Sequence, residues 1–100
     1  MLITEQRGAV LLLTLNRPEK ANALHPDLIA NLTATLEAAA ENPDVNVLII
    51  TGAGKSFCAG LDLGVVLESS FQDKIAYLES VFGMFQQIYT QPQPVVARSE

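Results

Sequence analysis

Apolar residues at the start of the chain fall into two short runs separated by a tight turn. Residues 2–6 alternate partly between apolar and polar side chains, and residues 9–15 are rich in Val and Leu. Arg7-Gly8 lies between the two runs, and this arrangement predicts a β-hairpin. Pro18 follows the second run closely and ends the strand, because proline cannot continue a β-ladder.

Two longer segments carry apolar residues at the three- and four-residue spacing of a helix. The first begins at His25-Pro26, where proline fits the first turn of a helix, and ends at Asn42-Pro43-Asp44. Its apolar face comprises Leu28, Ile29, Leu32, Leu36, Ala39 and Ala40. The second segment covers roughly residues 70–90, and its apolar stripe is predicted to belong to the core, with the lining of a ligand pocket as the alternative for part of its aromatic residues. That stripe comprises Phe71, Ile75, Leu78, Phe82, Phe85 and Tyr89.

Two further apolar runs predict strands between and after these helices. Residues 45–51 are apolar and β-branched, and the absence of a polar residue at 47–50 predicts a strand buried on both faces. Residues 94–97, Pro-Val-Val-Ala, predict the start of another buried strand. Helices that alternate with apolar strands indicate an α/β fold, in a single domain over residues 1–100. The alternation stops in the middle of a unit.

Composition narrows the classes of function. The chain is 49% hydrophobic and 17% charged, which is typical of a globular protein, and its net charge of −5 disfavours a nucleic-acid partner. Cys58 is the only cysteine, so an internal disulfide is excluded and a reducing compartment is expected. Glu5 stands where a signal peptide would be basic, and the apolar runs are too short to span a bilayer. We therefore expect a cytoplasmic protein without a membrane partner.

The loop at residues 52–60 is the strongest candidate for chemistry. Its glycines and Gly54-Lys55-Ser56 suggest a phosphate-binding loop, but Ile49 and Phe57 stand where the P-loop and dinucleotide patterns require glycine. Small residues at 58–60 would let a ligand approach the backbone, with a main-chain N–H as donor. The alternative is a tight turn with small residues for packing. Cys58 has no identifiable activating base, and His25, at a helix start, is better explained as a helix cap or a surface residue than as a catalytic group.

Two motifs resemble those of the crotonase superfamily. Residues 16–24 (NRPEKANAL) resemble its N-R-P-x-x-x-N-A-L segment, and residues 54–63 (GKSFCAGLDL) resemble its G-x-x-F-x-A-G-x-D-L segment. They occur in the family's order, with a helix and a strand between them, and residues 94–97 resemble the next buried strand of the family. The resemblance implies an α/β, crotonase-like fold (the ClpP/crotonase spiral of ββα units), incomplete in this chain. It also implies a function in the enoyl-CoA hydratase/isomerase group.

The resemblance further implies a site for an acyl-CoA thioester, in which coenzyme A belongs to the substrate and neither a separate cofactor nor a metal is expected. Leu61 matches the position whose backbone N–H is the first of two donors to the thioester oxygen, where such donors stabilise the enolate. Lys20 or Lys55 is expected near a phosphate of the ligand. Asp62 has two other interpretations, a base and a partner of a helix N-terminus. The residues implied to bind the ligand are Lys20, Ala21, Ala23, Ala59, Leu61, Asp62 and Leu63.

The resemblance ends near Ala97. The family's second donor and the catalytic glutamates of the hydratases lie beyond that point, and Glu100 is not a match for either glutamate. The helices through which family members form trimers or hexamers have no counterpart. We therefore expect acyl-CoA binding and enolate stabilisation by a chain truncated before its acid/base residues. The alternative is a non-catalytic remnant, or an interaction module, with the same fold.

Overall fold

The computed structural model describes residues 1–98, and its elements follow the predicted alternation of strands and helices. The strands are β1 (Leu2–Arg7), β2 (Val10–Leu15), β3 (Val47–Gly52) and β4 (Val95–Arg98). The helices are α1 (Pro26–Ala40), α2 (Leu63–Glu68) and α3 (Phe71–Thr90), and a 3-10 turn spans Pro18–Lys20. The short helix α2 was not predicted, because six residues are too few to establish a helical period.

The four strands form one sheet in the order β1-β2-β3-β4. β1 and β2 are antiparallel and turn at Gly8, whose φ of 59° is left-handed, so the predicted hairpin is confirmed. β2 pairs with β3, and β3 with β4, in parallel. The register places Leu13 opposite Ile50, and both side chains belong to the buried core. Parallel pairing brings the ends of β2 and β3 to the same edge of the sheet, where the two loops with the sequence motifs begin.

Strand β3 is not buried on both faces within residues 1–98. Leu48 and Ile50 are buried in the core with residues of α1 and α3, whereas Val47 and Ile49 on the opposite face are half-buried. The prediction of two buried faces was therefore wrong for this part of the chain.

Helix α1 was predicted correctly in its start and its buried face. The Nδ1 atom of His25 accepts a hydrogen bond of 3.1 Å from the N–H of Asp27, so His25 is the helix cap. Pro26 occupies the first turn, as the sequence indicated. The buried residues of α1 are Leu28, Ile29, Leu32, Leu36 and Ala39.

Helix α3 buries a different face from the one predicted. Tyr77, Val81 and Met84 are its buried residues, while Phe82 and Tyr89 of the predicted stripe are 76% and 90% exposed. The observed face precedes the predicted stripe by one residue at each step, a rotation of about 100° around the helix. Both stripes have helical spacing, so periodicity could not distinguish them. Packing against α1 selected the stripe that also carries Tyr77.

Candidate functional site

The two loops that carry the motifs face each other across an open cleft of about 510 Å³. Six of the seven residues implied by the resemblance line this cleft. Ala21 does not line it, and its carbonyl instead accepts a hydrogen bond of 2.9 Å from the N–H of Ala59. The lining residues are Lys20, Ala23, Ala59, Leu61, Asp62, Leu63 and Gly64.

The side chain of Asn22 joins the two loops through hydrogen bonds to both of them. Its side chain is fully buried, and its backbone is left-handed at φ 57°, a conformation that asparagine tolerates better than most residues. Its Oδ1 atom accepts a hydrogen bond of 2.7 Å from the N–H of Arg17. Its Nδ2 atom donates to the carbonyls of Ala53 and Ser56 at 2.9 and 2.7 Å. The motif residue Asn22 is therefore a structural clamp between the two loops, since Ala53 and Ser56 lie 31 and 34 residues further along the chain.

The backbones of the two loops pair directly at Leu24 and Leu61, which form an isolated parallel bridge. The N–H of Leu24 donates to the carbonyl of Gly60 at 2.8 Å. Gly60 has a φ of 93°, which glycine adopts without strain and a side-chain residue rarely reaches. Glycine therefore lets the backbone adopt this conformation immediately before Leu61.

The N–H of Leu61 donates to no group within residues 1–98, and Leu61 is 41% exposed beside the cleft. The peptide between Gly60 and Leu61 is trans, so its N–H points opposite to its carbonyl. That carbonyl is bound to Leu24, and the free N–H is therefore directed away from Leu24. The structure thus offers an unpaired main-chain donor at the position that the motif implied.

Asp62 is joined to Arg17 by an ion pair that sequence reasoning missed. The Nη1 atom of Arg17 lies 2.7 Å from Oδ2 of Asp62, and both side chains are largely buried. The Oδ1 atom of Asp62 accepts the N–H of Val65 at 3.3 Å and caps α2. The hydrogen bond from Arg17 is the main reason that the pKa of the Asp62 carboxyl is lowered. Asp62 is therefore a paired anion that lines the cleft, which disfavours its use as a base.

Lys20 and Lys55 lie in different surroundings. Lys20 lines the cleft, whereas Lys55 is exposed and is not among the lining residues. Cys58 packs against the core, and its Sγ accepts a contact of 3.4 Å from the N–H of Gly60. In the described chain no group of three or more His, Cys, Asp or Glu residues could hold a metal. Up to residue 98, no helix combines the length and apolar character needed to cross a membrane.

Tyr77 is the other residue that sequence reasoning missed at this site. Its hydroxyl accepts a hydrogen bond of 3.0 Å from the N–H of Asp62 and donates to the carbonyl of Leu24. The ion pair of Arg17 and Asp62 could have been predicted, because the two motifs carry these opposite charges. Tyr77 carried no such signal, because it is far from both motifs in sequence and lies outside the predicted apolar stripe.

Comparison with known proteins defines the family. The Enoyl-CoA hydratase/isomerase family model matches residues 5–99, and the chain belongs to this family. A putative enoyl-CoA hydratase of Thermus thermophilus is 32% identical over a match of 99 residues, and the match covers 96% of this chain and 39% of that protein. The 2,3-dehydroadipyl-CoA hydratase of Escherichia coli is 46% identical over 67 residues, covering 67% of this chain and 26% of that protein.

A solved structure supports the same conclusion about the fold. The enoyl-CoA hydratase of Bacillus anthracis superposes with a TM-score of 0.92 at 28% identity, over 96% of this chain and 38% of that one. The predicted α/β, crotonase-like fold is therefore confirmed. The chain spans about two fifths of the length of the Thermus and Bacillus proteins, 39% of the first and 38% of the second.

Proposed function

We propose that this chain binds an acyl-CoA thioester in the cleft and donates the N–H of Leu61 to the thioester oxygen. The observation that carries the proposal is the unpaired N–H of Leu61, held in a trans peptide between two bonded neighbours. A donor fixed before the reaction stabilises the negative charge of an enolate without reorganising, and one such donor contributes about a hundred- to a thousand-fold in rate. A backbone donor also allows the side chain at position 61 to be apolar.

The charges around the cleft support an anionic ligand. Arg17 neutralises Asp62, the acidic residue of the cleft wall. Lys20 is the only basic residue among those that line the cleft in the described part of the chain. The wall is therefore locally cationic in a protein of net charge −5, and a phosphate of coenzyme A would be attracted there.

The family and the names of the relatives support a role in hydration or isomerisation of enoyl-CoA thioesters, in which the residues that line the cleft hold the thioester. Removal of the proton next to the thioester carbonyl leaves the charge on its oxygen, where the Leu61 N–H would bind it. Within residues 1–98 we assign no acid or base, because Asp62, the one carboxylate among the residues that line the cleft there, is already paired with Arg17. A cytoplasmic location stays a prediction.

Calorimetric titration with butyryl-CoA and with free CoA tests the binding part of the proposal. Both should bind, and Lys20→Ala should weaken both by about three-fold at low salt, since an exposed charge pair contributes up to about 1 kcal/mol. Lys55→Ala is the matched control, because Lys55 does not line the cleft, and it should leave both affinities unchanged. Absence of binding by the wild-type protein, or equal losses in both variants, would contradict this assignment.

A further inference from the structure

The hydroxyl of Tyr77 is not part of the cleft lining, but it bonds to both of the loops that form the cleft. Tyr77 is 5% exposed on helix α3. Its hydroxyl donates to the carbonyl of Leu24 at 2.5 Å and accepts from the N–H of Asp62 at 3.0 Å. A phenol has one O–H to donate, and here that donor and an acceptor site are both in use. Neither partner is near Tyr77 in sequence, with separations of 53 and 15 residues.

These contacts fix both peptide groups that flank Leu61. The peptide before Leu61 is held by its carbonyl, which accepts from the N–H of Leu24. The peptide after Leu61 is held by its N–H, which donates to Tyr77. Because Tyr77 also binds the carbonyl of Leu24, the same hydroxyl anchors the residue that holds the first peptide. Rotation of the Leu61 N–H would require breaking at least one of these bonds.

We infer that Tyr77 is a positioning residue for the Leu61 N–H, a role that rests on the proposed function of that donor. Tyr77 is not among the residues that line the cleft, so its hydroxyl is not placed to contact a ligand there. It acts through the backbone, by keeping the donor aligned with the thioester oxygen. Small errors of alignment matter, since hydrogen bonds weaken steeply as the donor angle departs from linearity.

The test measures polarisation of a bound thioester. Acetyl-CoA labelled with ¹³C at the carbonyl is bound to the protein, and the carbonyl stretch is recorded by infrared difference spectroscopy. In the wild-type protein a bond from Leu61 should lower the stretching frequency relative to free acetyl-CoA. Tyr77→Phe should lose most of this shift while its affinity for free CoA, which has no thioester, stays the same. Simple loss of cleft structure would instead lower the affinity for both ligands.

Tyr89→Phe is the matched control, because it also removes a tyrosine hydroxyl from α3, but from a residue that is 90% exposed. It should keep the full wild-type shift. If circular dichroism shows that Tyr77→Phe does not fold, 4-aminophenylalanine at position 77 replaces it. The amine still donates to Leu24 but is a poorer acceptor for Asp62, so a shift smaller than that of the wild type is expected.

The outcomes separate the two hypotheses. No shift in the wild-type protein would contradict the role of the Leu61 N–H and with it the proposed function. A wild-type shift that persists undiminished in Tyr77→Phe, or in the 4-aminophenylalanine variant if the first does not fold, would overturn the role of Tyr77 alone. A reduced shift with unchanged affinity for CoA supports both.

Discussion

The guanidinium of Arg17 and the carboxylate of Asp62 lie 2.7 Å apart, although 45 residues separate them in the chain. Each side chain makes a further bond on its own side of the cleft. Arg17 donates to the carbonyl of Ala23 at 3.1 Å, and Asp62 accepts from the N–H of Val65. The pair therefore joins the two cleft loops and removes a negative charge from the wall that would meet an anionic ligand.

Acid should weaken the fold through Asp62. A carboxyl whose pKa is lower in the folded chain stabilises the fold above its unfolded pKa of about 3.9, and this stabilisation is lost as the pH falls through the folded value. Asp62→Asn keeps a capping side chain for α2 but leaves Arg17 without its counter-ion. We expect a loss of about 2–3 kcal/mol in unfolding free energy at pH 7.

Urea denaturation between pH 7 and pH 3 measures this effect. The difference between wild type and Asp62→Asn should narrow as the pH falls. Glu5→Gln is the control, because the Glu5–Arg7 pair is exposed and exposed pairs contribute little to stability. A constant difference between wild type and Asp62→Asn across the range would show that the ion pair is not the source of the effect.

Asn22→Ala should destabilise the protein without touching the cleft wall. The substitution removes three hydrogen bonds and leaves the N–H of Arg17 and the carbonyls of Ala53 and Ser56 without that partner. We expect a loss of about 2–4 kcal/mol, measured by urea denaturation. Asn31→Ala, at an exposed position of α1, should change stability by less than about 0.5 kcal/mol. Similar losses in the two variants would argue against the clamp.

Gly52 and Gly83 should respond in opposite directions to the same change. A Cβ at Gly52 would lie 2.3 Å from the carbonyl oxygen of Phe57 and 2.4 Å from that of Ser56. Gly52→Ala should therefore cost about 1–3 kcal/mol. A Cβ at Gly83 meets nothing within 4 Å, and alanine favours the helix, so Gly83→Ala should gain about 0.5–1 kcal/mol. The melting temperature should fall in Gly52→Ala and rise in Gly83→Ala. A Gly52→Ala variant as stable as the wild type would contradict the close approach of the Phe57 and Ser56 carbonyls to Gly52.

The exposed face of α3 should contribute to association rather than to the stability of the core. Phe82→Gln removes a side chain that is 76% exposed and should leave the melting temperature nearly unchanged while reducing concentration-dependent association on gel filtration. Met84→Ala removes a buried side chain and should cost about 2–5 kcal/mol. A large loss of stability in Phe82→Gln would show that the aromatic stripe is buried after all, as the sequence had predicted.

The sequence predicted the architecture better than the contacts within it. The hairpin, α1 and the order of strands and helices along the chain followed from patterns of a few neighbouring residues, and a cap was one of the two roles expected for His25. The buried face of α3 did not, because the stripes through Met84 and Phe85 have the same spacing, and tertiary packing chooses between them. The motifs located the cleft but not the roles of Arg17 and Asn22, since each of these side chains also bonds to residues of the other loop.

The central claim is that the Leu61 N–H donates to the thioester oxygen, and amide NMR of the ¹⁵N-labelled protein tests it most directly. Titration with acetyl-CoA and with free CoA reports on the same amide proton in the presence and absence of the thioester. A hydrogen bond to the thioester oxygen should move the Leu61 proton downfield with acetyl-CoA and much less with CoA, while Ala23 and Leu63 respond equally to both ligands. A Leu61 proton that responds identically to acetyl-CoA and CoA, when its cleft neighbours show that both are bound, would contradict the claim.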